Sequence, residues 1–208
     1  MPREGRNRRG PVGYSPRIVN ELDPVQRFLI VCEGKETEPN YFRRFRVPKK
    51  VECVDIRGLG FNTISLVDEA IRLKSKEKYD QVWCVLDRDS FPPQQFNAAI
   101  ERAQAHNIKV AYSNEAFELW FILHFELLQT GIPRADYGVK LTRYLGRRYE
   151  KSDEDIYDDL QSHQSDAVRN ARRLLDQYPS PNPEQDNPST TVHLLVEELN
   201  KQLARLTR

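Results

Sequence analysis

The stretch FLIVCEGKETEPNYF, residues 28–42, joins a strand signal directly to a helix signal. RFLIVC (27–32) is a short, continuous apolar run, which is typical of a strand buried on both faces. The run ends on Glu33. TEPNYFRRFR then predicts a short helix, with Thr37 as its N-cap and Pro39 in its first turn. A buried strand that stops on a carboxylate and leads into a helix is the first piece of an alternating α/β chain.

The alternation of strand and helix continues to about residue 129. Further buried strands are predicted at VECVDIR (51–57), QVWCVL (81–86) and IKVAY (108–112). Helical patterns separate them, and a long helix, EAFELWFILHFELLQ (115–129), follows the fourth strand. Strands connected in this way pair in parallel, because each connection must return across the sheet. The sequence therefore predicts an α/β fold with an open, Rossmann-like parallel sheet flanked by helices.

Beyond residue 130 the sequence contains no convincing strand signal. Amphipathic patterns predict helices at 136–149, 153–163 and 166–178, and TVHLLVEELNKQLARL predicts a last helix after a proline-rich loop. These helices are expected to form a layer on the sheet rather than a separate domain. Three segments are predicted: a flexible basic N-terminal arm (1–24), an α/β core (25–130) and a helical C-terminal layer (131–208).

Composition argues against several classes of protein. The 208 residues carry a formal net charge of +1, so the overall field does not by itself attract nucleic acid. The basic arm has no apolar segment and so does not resemble a signal peptide, and no apolar run approaches the roughly 20 residues that cross a bilayer. Cys32, Cys53 and Cys84 lie in strand-like runs. They are expected to be reduced core thiols of a cytoplasmic protein rather than disulfides or zinc ligands.

Three carboxylates follow two of the predicted strands. Glu33 ends the first, and the third is followed by Asp87 and Asp89. Residues i and i+2 of an extended chain project to the same side, so both aspartates can approach one point while Arg88 turns away. The carboxyl ends of parallel strands line one crevice, where ligands bind. Three such acids repel one another unless a cation neutralises them, and oxygen ligands favour Mg²⁺ or Mn²⁺.

The alternative interpretation is that these acids only end strands and keep loops soluble, as most charged loop residues do. A glutamate and a D-x-D at two strand ends make that interpretation weaker than it is for a single acid. The sequence contains neither G-x-x-x-x-G-K-[ST] nor G-x-G-x-x-G, so no phosphate-binding loop competes for the functional assignment.

The strand-end glutamate followed by D-x-D resembles the pattern of TOPRIM domains, which occur in topoisomerases, primases and overcoming-lysogenization-defect nucleases. Four segments together resemble the RloB family of bacterial restriction and abortive-infection loci. The resemblance covers residues 25–200 and departs from the family pattern in the order of Lys35 and Glu36 and in the absence of a proline after Asn114. The segments are FLIVCEGKETEPNYF, VWCVLDRDSF, SNEAFELWFILHF and NPSTTVHLLV.

The resemblance implies a TOPRIM-like core and a Mg²⁺-dependent nuclease that acts on nucleic acid in phage defence, beside an RloA-like ATPase partner. Glu33, Asp87 and Asp89 are then the metal ligands and catalytic acids. The resemblance also favours Glu118 as a fourth acid, since the predicted helix places it near the end of the fourth strand. The alternative for Glu118 is an ordinary first-turn acid that complements the helix dipole.

A basic segment, GRRYEKSDED (146–155), contains Lys151, the candidate general acid or electrostatic helper. Its arginines are candidate phosphate contacts, and the alternative is a solvated helix end. His124 lies within an apolar stripe and is expected to be a core histidine rather than a ligand. Asn114 is expected to cap the helix that follows it.

Two further functions stay open at this stage. The chain can be a non-catalytic subunit that binds metal or nucleotide and regulates a defence ATPase. It can also be a primase-type nucleotidyl transferase, although nothing in the sequence resembles a primase zinc module. The choice between RNA and DNA, the trigger and any homo-oligomer are not predicted.

Overall fold

The computed structural model describes residues 26–45, 51–55, 63–88 and 93–206. The basic arm and Asp89 lie outside these ranges. Within them the chain forms five strands and eight α-helices. The strands are β1 (Phe28–Cys32), β2 (Val51–Asp55), β3 (Gln81–Asp87), β4 (Lys109–Asn114) and β5 (Ser189–Thr190). The helices are α1 (Thr37–Arg43), α2 (Thr63–Lys76), α3 (Pro93–Ala105), α4 (Glu118–Ile122), α5 (Arg134–Leu145), α6 (Ile156–Leu160), α7 (Gln164–Leu175) and α8 (Val192–Leu206).

The strands form one sheet in the order β2-β1-β3-β4-β5. The first four are parallel, and β1 lies between β2 and β3, with Phe28 level with both Val51 and Gln81. This confirms the predicted Rossmann-like α/β architecture. The expectation of no strand after residue 130 was wrong, because β5 pairs antiparallel with the end of β4. Two residues are too short to show the alternation by which a strand is recognised in sequence.

Helices cover both faces of the sheet. Because successive strand residues point to opposite sides, Phe28, Ile30 and Cys32 of β1 face one core and Leu29 and Val31 face another. The first core is filled by α1 and by the segments that contribute α4 to α8, and the second by α2 and α3. Every residue of β1 and β3 is buried. The continuous apolar runs read from the sequence follow directly from this two-sided burial.

The predicted helix 115–129 is much shorter than expected. Only Glu118–Ile122 is α-helical, and turns follow at 123–125. All residues from Ala116 to His124 are buried, so this segment has no solvent-exposed face and turns within the core instead of lying along its surface. Asn114 does not cap it: this residue ends β4, and its side-chain amide donates to the carbonyl of Pro183 at 3.2 Å.

Two smaller features also correct the sequence predictions. Thr37 is the first helical residue of α1 rather than its N-cap, and its hydroxyl donates to the carbonyl of Lys151 at 3.3 Å. Helix α5 stops at Leu145, short of the predicted 149, because Gly146 adopts the left-handed conformation with φ of 66°. Among the described helices, none combines the length and hydropathy needed to cross a membrane.

The core histidine and core thiols agree with expectation where they are described. His124 is buried, its Nδ1 lies 2.9 Å from the carbonyl of Trp120, and burial lowers its pKa to about 4. Cys32 and Cys84 are buried, and burial raises the pKa of the Cys84 thiol to about 12. These groups contribute to packing, and the buried Cys84 thiol stays protonated at neutral pH.

Candidate active site

A cleft of about 410 Å³ opens at the carboxyl ends of β1 and β3. Since β1 leads through α1 to β2 on one side and β3 leads through α3 to β4 on the other, the cleft lies where the strand order reverses. That is the usual position of ligand sites in open parallel sheets. Its lining is Glu33, Gly34, Lys35, Glu36, Thr37, Glu38, Asp87, Phe117, Glu118, Arg134 and Lys151.

Glu33 and Asp87 meet at the base of this cleft. The Glu33 amide donates to the carbonyl of Val85 at 3.1 Å, which extends the pairing of β1 with β3 by one residue. The Asp87 amide in turn donates to Oε2 of Glu33 at 3.3 Å. Two of the three predicted ligands are therefore adjacent, as their positions at the ends of neighbouring parallel strands require.

The surroundings of Asp87 disfavour its ionised form. It is 7% exposed, and its Oδ1 is buried without a hydrogen-bond partner. Burial, followed by the negative charges of Glu38, Glu118 and Glu33, raises the pKa of Asp87 well above its ordinary value. Arg134 opposes this rise, with Nη2 at 3.3 Å from Oδ2 of Asp87.

Glu38 is a member of the cleft that the sequence reasoning missed. It is 3% exposed, and its Oε1 accepts a hydrogen bond from the Gly34 amide at 3.1 Å. A Cβ at position 34 would lie 2.0 Å from Oε2 of Glu38, so this approach requires glycine. Burial, with the charge of Glu118 added, raises the pKa of Glu38 to about 7. The available signal was an acid in the first turn of the helix that follows the strand.

The opposite wall of the cleft contains Glu118 and Lys151. Glu118 is 4% exposed, and its Oε1 accepts from the Tyr149 hydroxyl at 3.2 Å and lies 3.7 Å from Nζ of Lys151. Burial and the charge of Glu118 raise the pKa of Tyr149, which keeps its hydroxyl protonated as a donor. The structure therefore brings Glu118 and Lys151 to the same cleft as Glu33 and Asp87.

The segment 149–155 is fixed to α1 by backbone acceptors. Besides the bond from Thr37, Nδ2 of Asn40 donates to the carbonyl of Ser152 at 3.2 Å, and Nε of Arg44 donates to the carbonyl of Glu154 at 2.8 Å. These bonds hold Lys151 over the cleft. The neighbouring Arg147 instead pairs with Asp153 at 2.6 Å, and it does not line the cleft.

A family model described as "RloB-like protein" matches residues 28–199. This match spans every cleft residue named above. The chain belongs to the RloB family. No curated protein and no solved structure gives a match.

The donor set of this RloB-family cleft fits a hard cation. All its acidic ligand candidates offer oxygen, and Oδ1 of Asp87 is buried without a hydrogen-bond partner. Within the ranges that the structure describes, no three His, Cys, Asp or Glu side chains are already gathered closely enough to hold an ion. Asp89, the third predicted ligand, is outside those ranges and stays a prediction.

Glu38→Gln is expected to remove a pH-dependent loss of stability. A carboxyl whose pKa is raised from 4.5 to about 7 stabilises the fold fully only below pH 4.5, and that stability is lost as pH rises towards 7. The variant should therefore gain on wild type as pH rises, by on the order of 3 kcal/mol at pH 8. Urea unfolding at pH 4 and pH 8 measures this difference.

The matched control is Glu101→Gln, on the exposed face of α3. It makes the same chemical change where water screens the charge, so its difference from wild type should not vary with pH. An equal stability change for Glu38→Gln at both pH values would show that ionisation of Glu38 does not destabilise the fold.

Proposed function

We propose that this protein is a metal-dependent nuclease that cleaves phosphodiester bonds of nucleic acid in phage defence. One observation carries the proposal: five acids and three cationic side chains line a single cleft at the switch point of a parallel sheet. Four of the acids are buried or half-buried, and two of them have raised pKa values. Such a cluster of acids in a cleft is typical of sites that bind a divalent cation together with a phosphate.

The roles of the side chains follow from their positions. Glu33 and Asp87 would hold Mg²⁺ or Mn²⁺, together with the predicted Asp89. A bound ion of this kind acts as a Lewis acid at a phosphate oxygen and lowers the pKa of a bound water. Arg134 and Lys151 lie at the rim, with their side chains 39% and 58% exposed, where they can contact phosphate oxygens and orient the strand.

Glu38 is suited to move a proton. With a pKa of about 7 it is partly protonated at neutral pH, which is the condition that favours a general acid or base. Its Oε1 is engaged by the Gly34 amide, which leaves Oε2 to take the proton. Tyr149 holds Glu118 on the opposite wall, where that acid maintains the local negative charge.

The biological setting rests on the family. The RloB-like family suggests a protein associated with phage defence. The sequence contains no G-x-x-x-x-G-K-[ST] motif, and in this proposal an RloA-like ATPase partner supplies any nucleotide-driven step. The TOPRIM-like pattern of strand-end acids adds support for phosphodiester chemistry rather than another use of the cation.

The contact of Arg134 with Asp87 favours a second candidate function. An acid already neutralised in part by a protein cation suits a site that binds metal or nucleotide without cleavage and regulates an ATPase. This candidate shares the cleft but not the chemistry.

Cleavage assays separate the two functions. Purified protein is incubated with tRNA, single-stranded RNA, single-stranded DNA or duplex DNA, with Mg²⁺ or Mn²⁺, and with or without its ATPase partner. We expect cleavage of at least one substrate that stops on addition of a chelator. Binding of Mn²⁺ without cleavage in any arm, partner included, would contradict the nuclease and favour the regulatory subunit.

A further inference from the structure

Arg88, the residue between the two aspartates of D-x-D, follows Asp87 at the end of β3 and is not among the residues that line the cleft. Its amide donates to the carbonyl of Ser113 at 2.9 Å, which ties the end of β3 to β4. Its Nε donates to the carbonyl of Glu184 at 3.1 Å. The backbone that carries Asp87 is thus held from two directions, by the neighbouring strand and by a remote segment of the chain.

That remote segment is the 182–187 loop, NPEQDN, which crosses the carboxyl edge of the sheet between α7 and β5. The side-chain amides of Asn114 and Asn97 donate to the carbonyl of Pro183 at 3.2 Å and to Oδ1 of Asn182 at 2.8 Å. Within the loop, Oδ2 of Asp186 accepts from the Asn182 amide at 2.7 Å. A loop fixed at several points by buried or half-buried groups is a firm support rather than a mobile connection.

The same loop also approaches the segment that leads to Arg134. Asn187 lies so close to Gly131 that a Cβ there would lie 2.8 Å from its Oδ1. Gly131 precedes by three residues Arg134, whose guanidinium contacts Asp87. The 182–187 loop therefore bonds to the residue that follows Asp87 and also lies beside the start of the segment 131–134.

We propose that Arg88 is a positioning residue of the active site: through its bond to the 182–187 loop it fixes the direction in which Asp87 presents its carboxylate. The proposal rests on the proposed metal-dependent function. Carboxylates at close range repel one another. In the metal-free protein, a firmly held backbone is therefore needed to keep Asp87 close to Glu33, Glu38 and Glu118. Groups behind metal ligands that orient them contribute about 10-fold to 100-fold in metal affinity.

The test compares Mn²⁺ affinity and thermal stability in full-length variants. Arg88→Met removes the donor and keeps an unbranched apolar chain, and it should weaken Mn²⁺ binding by about tenfold or more. Arg88→Lys keeps a charged donor at a slightly different reach and should fall between Met and wild type. Isothermal calorimetry with Mn²⁺ gives the dissociation constant, and unfolding of the metal-free protein gives the melting temperature.

Two controls make the result specific. Glu184→Ala should be silent, because the acceptor for Arg88 is the backbone carbonyl of residue 184 and not its side chain. Arg102→Met removes an arginine whose partner, Asp68, is exposed on α2, and it should leave Mn²⁺ binding unchanged. A melting temperature near that of wild type, with weakened binding, separates positioning of the carboxylate from general stability.

Each outcome decides the proposal. A folded Arg88→Met protein with the wild-type affinity overturns it, and if that variant does not fold, a wild-type affinity for Arg88→Lys does so. Loss of affinity in Glu184→Ala as strong as in Arg88→Met also overturns it, since that change leaves the acceptor in place. If wild-type protein binds no Mn²⁺, the proposed function itself is wrong, and the role of Arg88 falls with it.

Discussion

Asp87→Asn is expected to remove Mn²⁺ binding and nuclease activity while making the metal-free protein more stable at neutral pH. Asp87 is buried, its Oδ1 has no hydrogen-bond partner, and three other acids lie close enough to raise its pKa. Substitution of groups one layer behind a metal costs about 10-fold to 100-fold in affinity or activity, so loss of a direct ligand should cost at least about 100-fold. A substitution that lowers activity and raises stability indicates that the acid serves function rather than folding.

The direction of the stability change depends on pH. The folded-state pKa of Asp87 is raised above its ordinary value of 3.8, so ionisation of this group weakens the fold. The weakening begins as pH rises past 3.8 and is complete only above the raised pKa. Asn has no such charge. The variant should therefore match wild type near pH 3 and melt at a higher temperature near pH 8, in the presence of a chelator.

Asp68→Asn is the matched control, because Asp68 is an exposed residue of α2 that pairs with the exposed Arg102. It should leave metal affinity unchanged and lower stability slightly if at all. Calorimetry of wild type with Mg²⁺, Mn²⁺ and Zn²⁺ tests the choice of ion. Tight stoichiometric binding of Zn²⁺ in preference to the other two would contradict an oxygen-ligand site.

The part of the cleft that could be predicted from sequence is the part fixed by the strands. Glu33 and Asp87 end buried parallel strands, and parallel pairing places such ends at one edge whatever the loops do. Glu118 was proposed from its predicted position near the end of the fourth strand and from the family resemblance, and Lys151 from the basic segment that contains it. Their catalytic roles, like that of Asp89, stay predictions.

The missed residues reach the cleft through packing between distant segments. Tyr149 lies at the cleft because hydrogen bonds tie the segment around it to α1. One of these bonds joins Thr37 to Lys151, which are more than a hundred residues apart in sequence. Arg134 reaches Asp87 from 47 residues further along the chain. No local pattern encodes such pairs. Glu38 is different, because its carboxylate packs on Gly34, four residues earlier, where any side chain would clash. This glycine–glutamate spacing is local and can be read from the sequence once the contact is known.

Helix α4 illustrates a second limit of periodicity. The stretch 115–129 has apolar residues at helical spacing, yet it also has them between those positions. A segment that is apolar all round is buried on every side, and its course is then decided by what it packs against rather than by one amphipathic face. The shorter helix places Glu118 at the first helical position, beneath Tyr149, instead of along an extended surface helix.

The Glu33→Gln variant is expected to keep its fold and lose its function. Oε2 of Glu33 accepts a weak hydrogen bond from the Asp87 amide at 3.3 Å, and the oxygen of a glutamine side chain can accept the same bond. Removal of the charge also relieves repulsion with Asp87. The melting temperature should therefore equal or exceed that of wild type.

Function should respond in the opposite way. If Glu33 holds the cation or orients the attacking water, nuclease activity should fall by at least about 100-fold, and phage should form plaques on cells carrying the otherwise intact locus. Glu101→Gln on α3 makes the same substitution on the exposed surface and should retain full protection. Calorimetry then separates the two roles: weakened Mn²⁺ binding identifies a ligand, and normal binding with lost cleavage identifies the group that orients water. A correctly folded Glu33→Gln protein that still protects fully would contradict the claim that chemistry occurs at this strand end. In that case the acids serve only to end the strands, a role that a neutral glutamine also fills.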